Sequence, residues 1–228
     1  AYVKSLFDQI AGGYDNVNDW MPGGLHRLWK DRMLRILGAA PGQAAMDLAT
    51  GTGDLAFRLH AVVTAGGAAG TVTGLDFSPG MLDVARTRPG SSGVTWLEGD
   101  MMALPFADAS FDIGTVGFGL RNVTDVDVAL RDIFRVMKPG GAFGSLETGR
   151  PRLALMRGVI AVHHKVVPLL GKVFVGDDKP YRYLNDSFDA FMDQDTLAER
   201  FRAAGFVDVQ VADIQGGSLA IVTGRKPL

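Results

Sequence analysis

The chain has 228 residues, of which 47% are hydrophobic and 21% charged, and its formal net charge is −2. This composition supports a sizeable core and excludes wholesale disorder, while the missing basic excess argues against dedicated nucleic-acid binding. The sequence contains no cysteine, which excludes disulfide frameworks, cysteine nucleophiles and cysteine metal sites. We find neither the pattern of a secretory signal nor an uncharged apolar run of roughly 18 residues that would span a bilayer. We therefore expect a cytoplasmic protein. The sequence does not decide whether it also contacts the inner face of the membrane.

The first 40 residues predict a helical cap on a single domain that spans residues 1–228. Apolar residues recur at helical spacing from Leu25 to Leu37, and Gly38 ends that run.

From Ala44 onward, strands and helices alternate. Strands are predicted at 44–49, 71–76, 94–97, 111–116 and 142–146, and the helices between them at 55–63, from 79 behind the N-cap Ser78, and at 126–137, where Pro139-Gly140-Gly141 ends the helix. This alternation predicts an α/β fold with a mostly parallel sheet and helices on both faces.

The alternation pauses between residues 150 and 195, which we interpret as a helical lid or substrate insertion. A helix at 197–204 and an antiparallel hairpin of strands at 206–211 and 219–223 then complete a seven-stranded sheet. Residues 153–175 are largely apolar with basic residues interspersed. This pattern suits a lid over the sheet, a helix at a membrane interface, an ordinary core-facing helix or a dimer interface, and the sequence does not decide among them.

A glycine-rich turn follows the first strand, at Gly51-Thr52-Gly53. Such a turn between a strand and a helix lets the backbone approach a ligand closely, although it also serves helix packing alone. Asp54 then places negative charge at the start of the helix, where the pyrophosphate of a dinucleotide would lie. That charge favours a cationic cofactor without phosphate, and S-adenosylmethionine fits this description. An NAD-dependent reductase and a non-catalytic binding module are the competing classes.

Two acidic residues follow the next strands. Asp76 ends the second strand, where a carboxylate can accept both hydroxyls of a ribose, and Asp100 follows the third, where it can accept from an adenine amino group while Met101 packs on the ring. The carboxyl ends of parallel strands are where open α/β sheets bind ligands. The alternative is that both carboxylates only shape loops or cap helices.

Several motifs resemble those of a known family. The segments DLATGTGDLA, GLDFSPGML, EGDMMALPFADASFD, GFGLRNVTD and RVMKPGG resemble the class I methyltransferase core. The blocks YDNVNDWMPGGLHRLWK, GFGLRNVTD, LETGRP and YRYLNDS are similar to the ubiquinone/menaquinone biosynthesis C-methyltransferases, and the resemblance runs from about Phe7 to Gly224. Asp-Phe-Ser after the second strand and Leu-Glu-Thr after the fifth are closer to the menaquinone branch.

The resemblance implies a class I S-adenosylmethionine-dependent methyltransferase fold and a reaction. Demethylmenaquinol, a prenylated naphthoquinol, and S-adenosylmethionine would give menaquinol and S-adenosyl-L-homocysteine. It also implies cofactor contacts at Thr52, Asp76, Asp100 and Met101. A benzoquinol or another small-molecule acceptor is the alternative.

Methylation at a ring carbon requires electron-rich carbon, which loss of a proton from a ring hydroxyl supplies, and it requires no metal. Arg121 and Asn122 follow the fourth strand, and we predict them as catalytic residues. Because arginine stays protonated, Arg121 would steady phenolate charge, while Asn122 would orient a ring oxygen. An ion pair of Arg121 with Asp125 or Asp127 is the alternative.

Four further residues are predicted on the substrate side. Tyr14 would cover the cofactor, with core packing as the alternative. His163, Tyr181 and Tyr183 would bind the substrate, and together with His164 they are the candidates for relaying its proton. An ordinary structural or surface role is the alternative for the two histidines.

Overall fold

The structure, a computed structural model, describes residues 25–153, 156, 158, 187, 188 and 190–228. The predictions for residues 1–24 and for much of the 150–195 insertion lie outside the described residues, among them those for Tyr14, His163, Tyr181 and Tyr183. The helices of the described part are α1 (Leu25–Leu37), α2 (Asp54–Val63), α3 (Pro79–Thr87), α4 (Val126–Val136) and α5 (Gln194–Ala203). Its strands are β1 (Ala44–Leu48), β2 (Thr71–Asp76), β3 (Thr95–Glu98), β4 (Phe111–Gly117), β5 (Met137–Thr148), β6 (Val207–Ile214) and β7 (Leu219–Arg225).

The described strands form one seven-stranded sheet in the order β3-β2-β1-β4-β5-β7-β6. The strands from β3 to β5 run parallel, and β7 pairs antiparallel with both β5 and β6. The predicted mostly parallel sheet with a closing hairpin is therefore confirmed. The chain moves outward from β1 to β3 and then crosses to β4 on the other side of β1. The carboxyl ends of β1 and β4 thus form the switch point where sheets of this kind bind ligands.

Side-chain caps explain where three of the helices begin. The Ser78 Oγ accepts a hydrogen bond from the Met81 N–H at 3.2 Å, and Pro79 occupies the first turn of α3, so the predicted cap is confirmed. Asp125 accepts from Val128 N–H at the start of α4. Asp193 accepts from Thr196 N–H at the start of α5.

The prediction for the junction of α4 and β5 was wrong. The helix ends at Val136, and Met137 already pairs with Phe111, so β5 begins before the Pro139-Gly140-Gly141 motif. The register shifts there, because the motif forms an irregular stretch of the strand in which Gly140 has a φ of +76°. The Gly140 N–H donates to the Lys226 carbonyl and the Lys226 N–H to the Gly141 carbonyl, both at 2.9 Å.

Helices pack on both faces of the sheet, as predicted. On one face, Phe143 of β5 stacks on Phe201 of α5, with ring centroids 5.5 Å apart. On the other, α1 lies along β5 and buries Met33 and Leu37 together with Leu59 of α2. Each such side chain contributes about 1.5–3 kcal/mol through burial. This packing fixes α1 against the sheet and brings its first turns to the carboxyl edge. No helix within the described ranges has the length and apolar character needed to cross a bilayer.

Candidate active site

An open cleft with a cavity volume of about 200 Å³ lies at the carboxyl ends of β1 and β4. Its walls come from the first turns of α1, the glycine-rich loop after β1 and the end of β4, and they include Asp47, Gly51, Thr52 and Phe118. The sequence predicted a ligand site at this edge, and two of the predicted cofactor residues, Gly51 and Thr52, line the cleft.

The loop after β1 adopts left-handed backbone conformations. The φ angles are +48° at Ala49, +56° at Gly51 and +87° at Gly53. A Cβ atom at Gly53 would lie 2.5 Å from the Trp96 ring, whereas a Cβ atom at Gly51 would meet no atom within 4 Å. Gly53 is therefore required for both conformation and space. Gly51 leaves the backbone open toward the cleft.

Asp76 connects this loop to the end of β2. Its carboxylate is buried, and it accepts hydrogen bonds from the Gly51 N–H at 2.7 Å and from the Ser78 N–H at 2.9 Å. The loop-shaping role, which the sequence left as an alternative, is thus part of its function. Each carboxylate oxygen has a second lone pair, so the predicted ribose contact is chemically compatible with this role.

Asp100 and Met101 lie on the turn after β3. Asp100 is exposed, and its Oδ1 accepts from the Met102 N–H at 2.9 Å. Met101 is 6% exposed and belongs to the same hydrophobic cluster as Leu120. Met101 is thus packed into the core and neither residue lines the cleft, so the adenine contact stays a prediction.

Asp47 is a site residue that the sequence analysis missed. It is the penultimate residue of β1 at the floor of the cleft, is 1% exposed, and accepts from the hydroxyls of Thr50 at 2.6 Å and Thr115 at 2.8 Å. Burial raises its pKa to about 6, although both hydroxyls and the charge of Lys30 act in the opposite direction. The signal in the sequence was an acidic residue near the end of a buried strand, shortly before a glycine turn.

Nearby cations balance the negative charge of Asp54 at the start of α2. The preference for a cationic cofactor inferred from Asp54 is therefore weaker than the sequence suggested. The Lys30 Nζ lies 2.7 Å from the Asp54 Oδ2, and Arg58 and His26 are also near. Burial raises the pKa of Asp54, but these cations outweigh it and the net pKa is lowered. With Arg88 also lining the cleft, its walls carry charges of both signs and suit a zwitterionic ligand.

Arg121 pairs with a residue that the sequence analysis did not single out. Its Nη1 lies 3.5 Å from the Glu147 Oε2 at the end of β5, and both side chains are buried. The predicted alternative was wrong, since Asp125 caps α4 and Asp127 pairs with Arg200 at 3.0 Å. Burial raises the pKa of Glu147, and Arg121 acts against that rise.

Both predicted catalytic residues lie on one tight turn after β4, at Leu120–Asn122. Phe118 precedes this turn with a φ of +58° and lines the cleft. The Arg121 guanidinium lies 5.4 Å from the centre of the Phe118 ring, and the Asn122 Nδ2 donates to the Phe118 carbonyl at 3.2 Å. The turn is therefore held beside the cleft. Within the described part of the chain, no three His, Asp or Glu side chains are grouped so that they could hold a metal ion.

Comparison with known sequences extends over almost the whole chain. Residues 1–226 match the ubiE/COQ5 methyltransferase family. A demethylmenaquinone methyltransferase from Desulfitobacterium hafniense (strain Y51) is 40% identical over 232 residues, covering 100% of this chain and 90% of the relative. The enzyme of the same name from Lactococcus lactis subsp. lactis (strain IL1403) is 40% identical over 222 residues, covering 96% of this chain and 87% of the relative.

Comparison with solved structures supports the fold alone, because the sequence identities are low. A SAM-dependent methyltransferase from Thermotoga maritima aligns with a TM-score of 0.67 at 21% identity, covering 97% of this chain and 99% of that one. The [4+2]-cyclase SpnF aligns with a TM-score of 0.64 at 21% identity, covering 89% and 82% of the two chains. Since different activities share this architecture, the function must be argued from the site.

Proposed function

Because this chain belongs to the ubiE/COQ5 methyltransferase family, we propose that it methylates a ring carbon of demethylmenaquinol with S-adenosylmethionine, giving menaquinol and S-adenosylhomocysteine. The fold class and the family predicted from the sequence are confirmed. The relatives at 40% identity support the naphthoquinol acceptor, since they carry the name demethylmenaquinone methyltransferase. The observation that carries the proposal is the cleft whose walls join the glycine loop, anchored by Asp76, to Phe118, which directly precedes the turn that bears Arg121.

The cleft fits the cofactor in charge and in backbone shape. When bound, S-adenosylmethionine would supply an electrophilic methyl group on a cationic sulfur. We assign the ammonium of its amino-acid end to the buried Asp47, beside the open backbone of Gly51 and Thr52. Asp76 would accept from the ribose hydroxyls, and the turn after β3 would hold the adenine. Both assignments come from the family resemblance and from the position of these residues at the carboxyl edge.

The turn after β4 is proposed to activate the acceptor. Arg121 keeps its positive charge at neutral pH, so it acts on a developing phenolate by electrostatic stabilisation and not as a base. The Asn122 side chain, tied to the Phe118 carbonyl, would orient a ring oxygen. A well-positioned pair of reactants supplies up to about 7–11 kcal/mol of rate acceleration, so alignment alone accounts for much of the catalysis. We assign the proton relay to His163, Tyr181 and Tyr183, which lie outside the described residues.

The experiment is a methyl-transfer assay with identified product. The purified protein is incubated with S-adenosylmethionine labelled in its methyl group and with chemically reduced demethylmenaquinone. We expect a labelled quinone with one additional ring methyl group, identified by mass spectrometry. The matched acceptor is a demethylated benzoquinol with the same prenyl tail. Faster turnover of the benzoquinol than of the naphthoquinol would contradict the assignment, and so would the absence of turnover with both compounds.

Calorimetry separates the reductase alternative. We expect S-adenosylhomocysteine to bind and NAD not to bind, because the Asp54 carboxylate lies at the first residue of α2, where a pyrophosphate would have to be placed. Tight NAD binding would favour the reductase. Binding of S-adenosylhomocysteine without turnover of any acceptor would favour a non-catalytic module.

The prenyl tail is assigned to the apolar segment 153–175, most of which lies outside the described residues. Leu153 itself is 60% exposed. We expect Leu153→Ser to raise the KM for a long-tailed acceptor more than the KM for a tail-free naphthoquinol. An equal effect on both acceptors would make this residue structural.

A further inference from the structure

Arg121 and Glu147 form an ion pair that is almost completely removed from water. The exposed fraction of the side chain is 8% for Arg121 and 2% for Glu147. Taking both charges out of water costs free energy, and only a close contact with several hydrogen bonds offsets that cost. The pair therefore requires an explanation beyond stability.

The contact between the two residues is not arranged for maximum attraction. The distance between the Arg121 Nη1 and the Glu147 Oε2 is 3.5 Å, and the buried Arg121 Nε has no hydrogen-bond partner within the part of the chain that the structure describes. Arg152 shows the contrast, because its nitrogens lie 2.7 and 2.9 Å from the Asp195 carboxylate and 2.6 Å from Asp213. Arg121 thus keeps N–H donors that its pairing with Glu147 does not use.

Glu147 holds the backbone of the turn as well as the guanidinium. Its Oε1 accepts from the Leu120 N–H at 2.7 Å, while its Oε2 faces Arg121. One carboxylate at the end of β5 therefore fixes both the start of the turn and the side chain that follows. The Phe118 ring, which lines the cleft, packs against the same guanidinium.

We propose that Glu147 is a positioning residue that directs the unused N–H groups of Arg121 toward the phenolate oxygen of the acceptor. It acts through Arg121 and does not contact the acceptor itself. The expected effect of Glu147 on catalysis rests on the proposed function. Its expected effect on Arg121 in the free protein rests only on the contacts described above.

The catalytic consequence is tested with Glu147→Gln, which removes the charge but keeps an oxygen that can accept from the Leu120 N–H. We expect kcat to fall about 10- to 100-fold, with the Kd for S-adenosylhomocysteine within about twofold of wild type, because misalignment costs rate without loss of cofactor contacts. Glu199→Gln, an exposed glutamate on α5, is the matched control and should keep wild-type kcat. Wild-type kcat in Glu147→Gln would overturn the proposal.

A double variant separates positioning from general damage. Since Glu147 acts through Arg121, the kcat of Glu147→Gln combined with Arg121→Met should equal that of Arg121→Met alone. A further loss equal to that of Glu147→Gln by itself would show that Glu147 acts independently of Arg121, and would contradict the proposal.

A measurement on the free protein keeps the inference testable if no quinol is turned over or if the glutamine variant does not fold. In wild-type protein labelled with nitrogen-15, we expect a separate, slowly exchanging Arg121 Nε–H signal, assigned by its loss in Arg121→Lys. In Glu147→Gln it should exchange at least about tenfold faster, because the guanidinium is released. Rapid exchange in the wild type, or an unchanged signal in the variant, would refute positioning. Absence of turnover with a protected signal would refute only the proposed function.

Discussion

The Lys30 ammonium of α1 lies 2.7 Å from the Asp54 carboxylate at the first residue of α2. Helix α1, which the sequence placed in a cap ahead of the main fold, therefore contributes to the charge at the rim of the cleft. Its packing against β5 and its contact with Asp54 make it part of the site.

The contribution of Lys30 can be measured through pH. Because the folded pKa of Asp54 is lowered, the stabilisation is present above its unfolded value and is lost as pH falls through the folded pKa. We expect Lys30→Met to lower the free energy of unfolding at pH 7 by about 1–2 kcal/mol, with a smaller difference in acid. Urea denaturation at pH 7 and pH 3 measures this. Arg86→Met removes an exposed ion pair with Asp83 and should change stability by less than about 0.5 kcal/mol.

Asp47 should produce the opposite dependence on pH. Its folded pKa is raised to about 6 from 3.8, so the folded state holds the proton longer and stability falls as pH rises between these values. The expected loss is on the order of 3 kcal/mol. Asp47→Asn cannot ionise and should not show it. Denaturation curves at pH 4, 5, 6 and 7 compare the two proteins, and equal slopes would refute the shifted pKa.

The two requirements at Gly53 can be separated with a matched glycine. Gly42 has nearly the same φ, +85°, but nothing lies within 4 Å of its Cβ position. Gly42→Ala should therefore cost about 1 kcal/mol from conformation alone. Gly53→Ala adds a contact of 2.5 Å with Trp96 and should cost about 1–3 kcal/mol more. Equal melting temperatures of the two variants would show that Trp96 moves aside without cost.

Asp76 should matter for cofactor affinity in two ways. Asp76→Ala removes the proposed ribose acceptor and also releases the Gly51 N–H that shapes the cleft. Since hydrogen bonds to a charged group are worth about 1.5–3 kcal/mol, we expect S-adenosylhomocysteine to bind about 10- to 100-fold more weakly in calorimetry. Asp83→Ala, an exposed carboxylate on α3, serves as the control. An unchanged Kd in Asp76→Ala would remove this residue from the site.

Local signals in the sequence predicted most elements and the position of the cleft. The strand at 71–76 has the predicted bounds, and Ser78 caps α3, because both follow from residues close in the chain. Burial and long-range pairing were not predictable in this way. Glu147 meets Arg121 only because the register of β4 and β5 brings their ends together. The shifted pKa of Asp47 likewise depends on the helices and strands that exclude water from it.

The order of the sheet also has a consequence for how the chain folds. β5 lies in its interior, yet its partner on one side is β7, and Leu219 comes long after Thr148 in the chain. While the protein is being synthesised, the hydrogen-bonding edge of β5 therefore stays open until the closing hairpin has left the ribosome. An open, hydrophobic strand edge invites pairing with other chains. Nascent chains halted before Leu219 has emerged from the ribosome should accordingly aggregate or bind chaperones, whereas chains in which Lys226 has emerged should not.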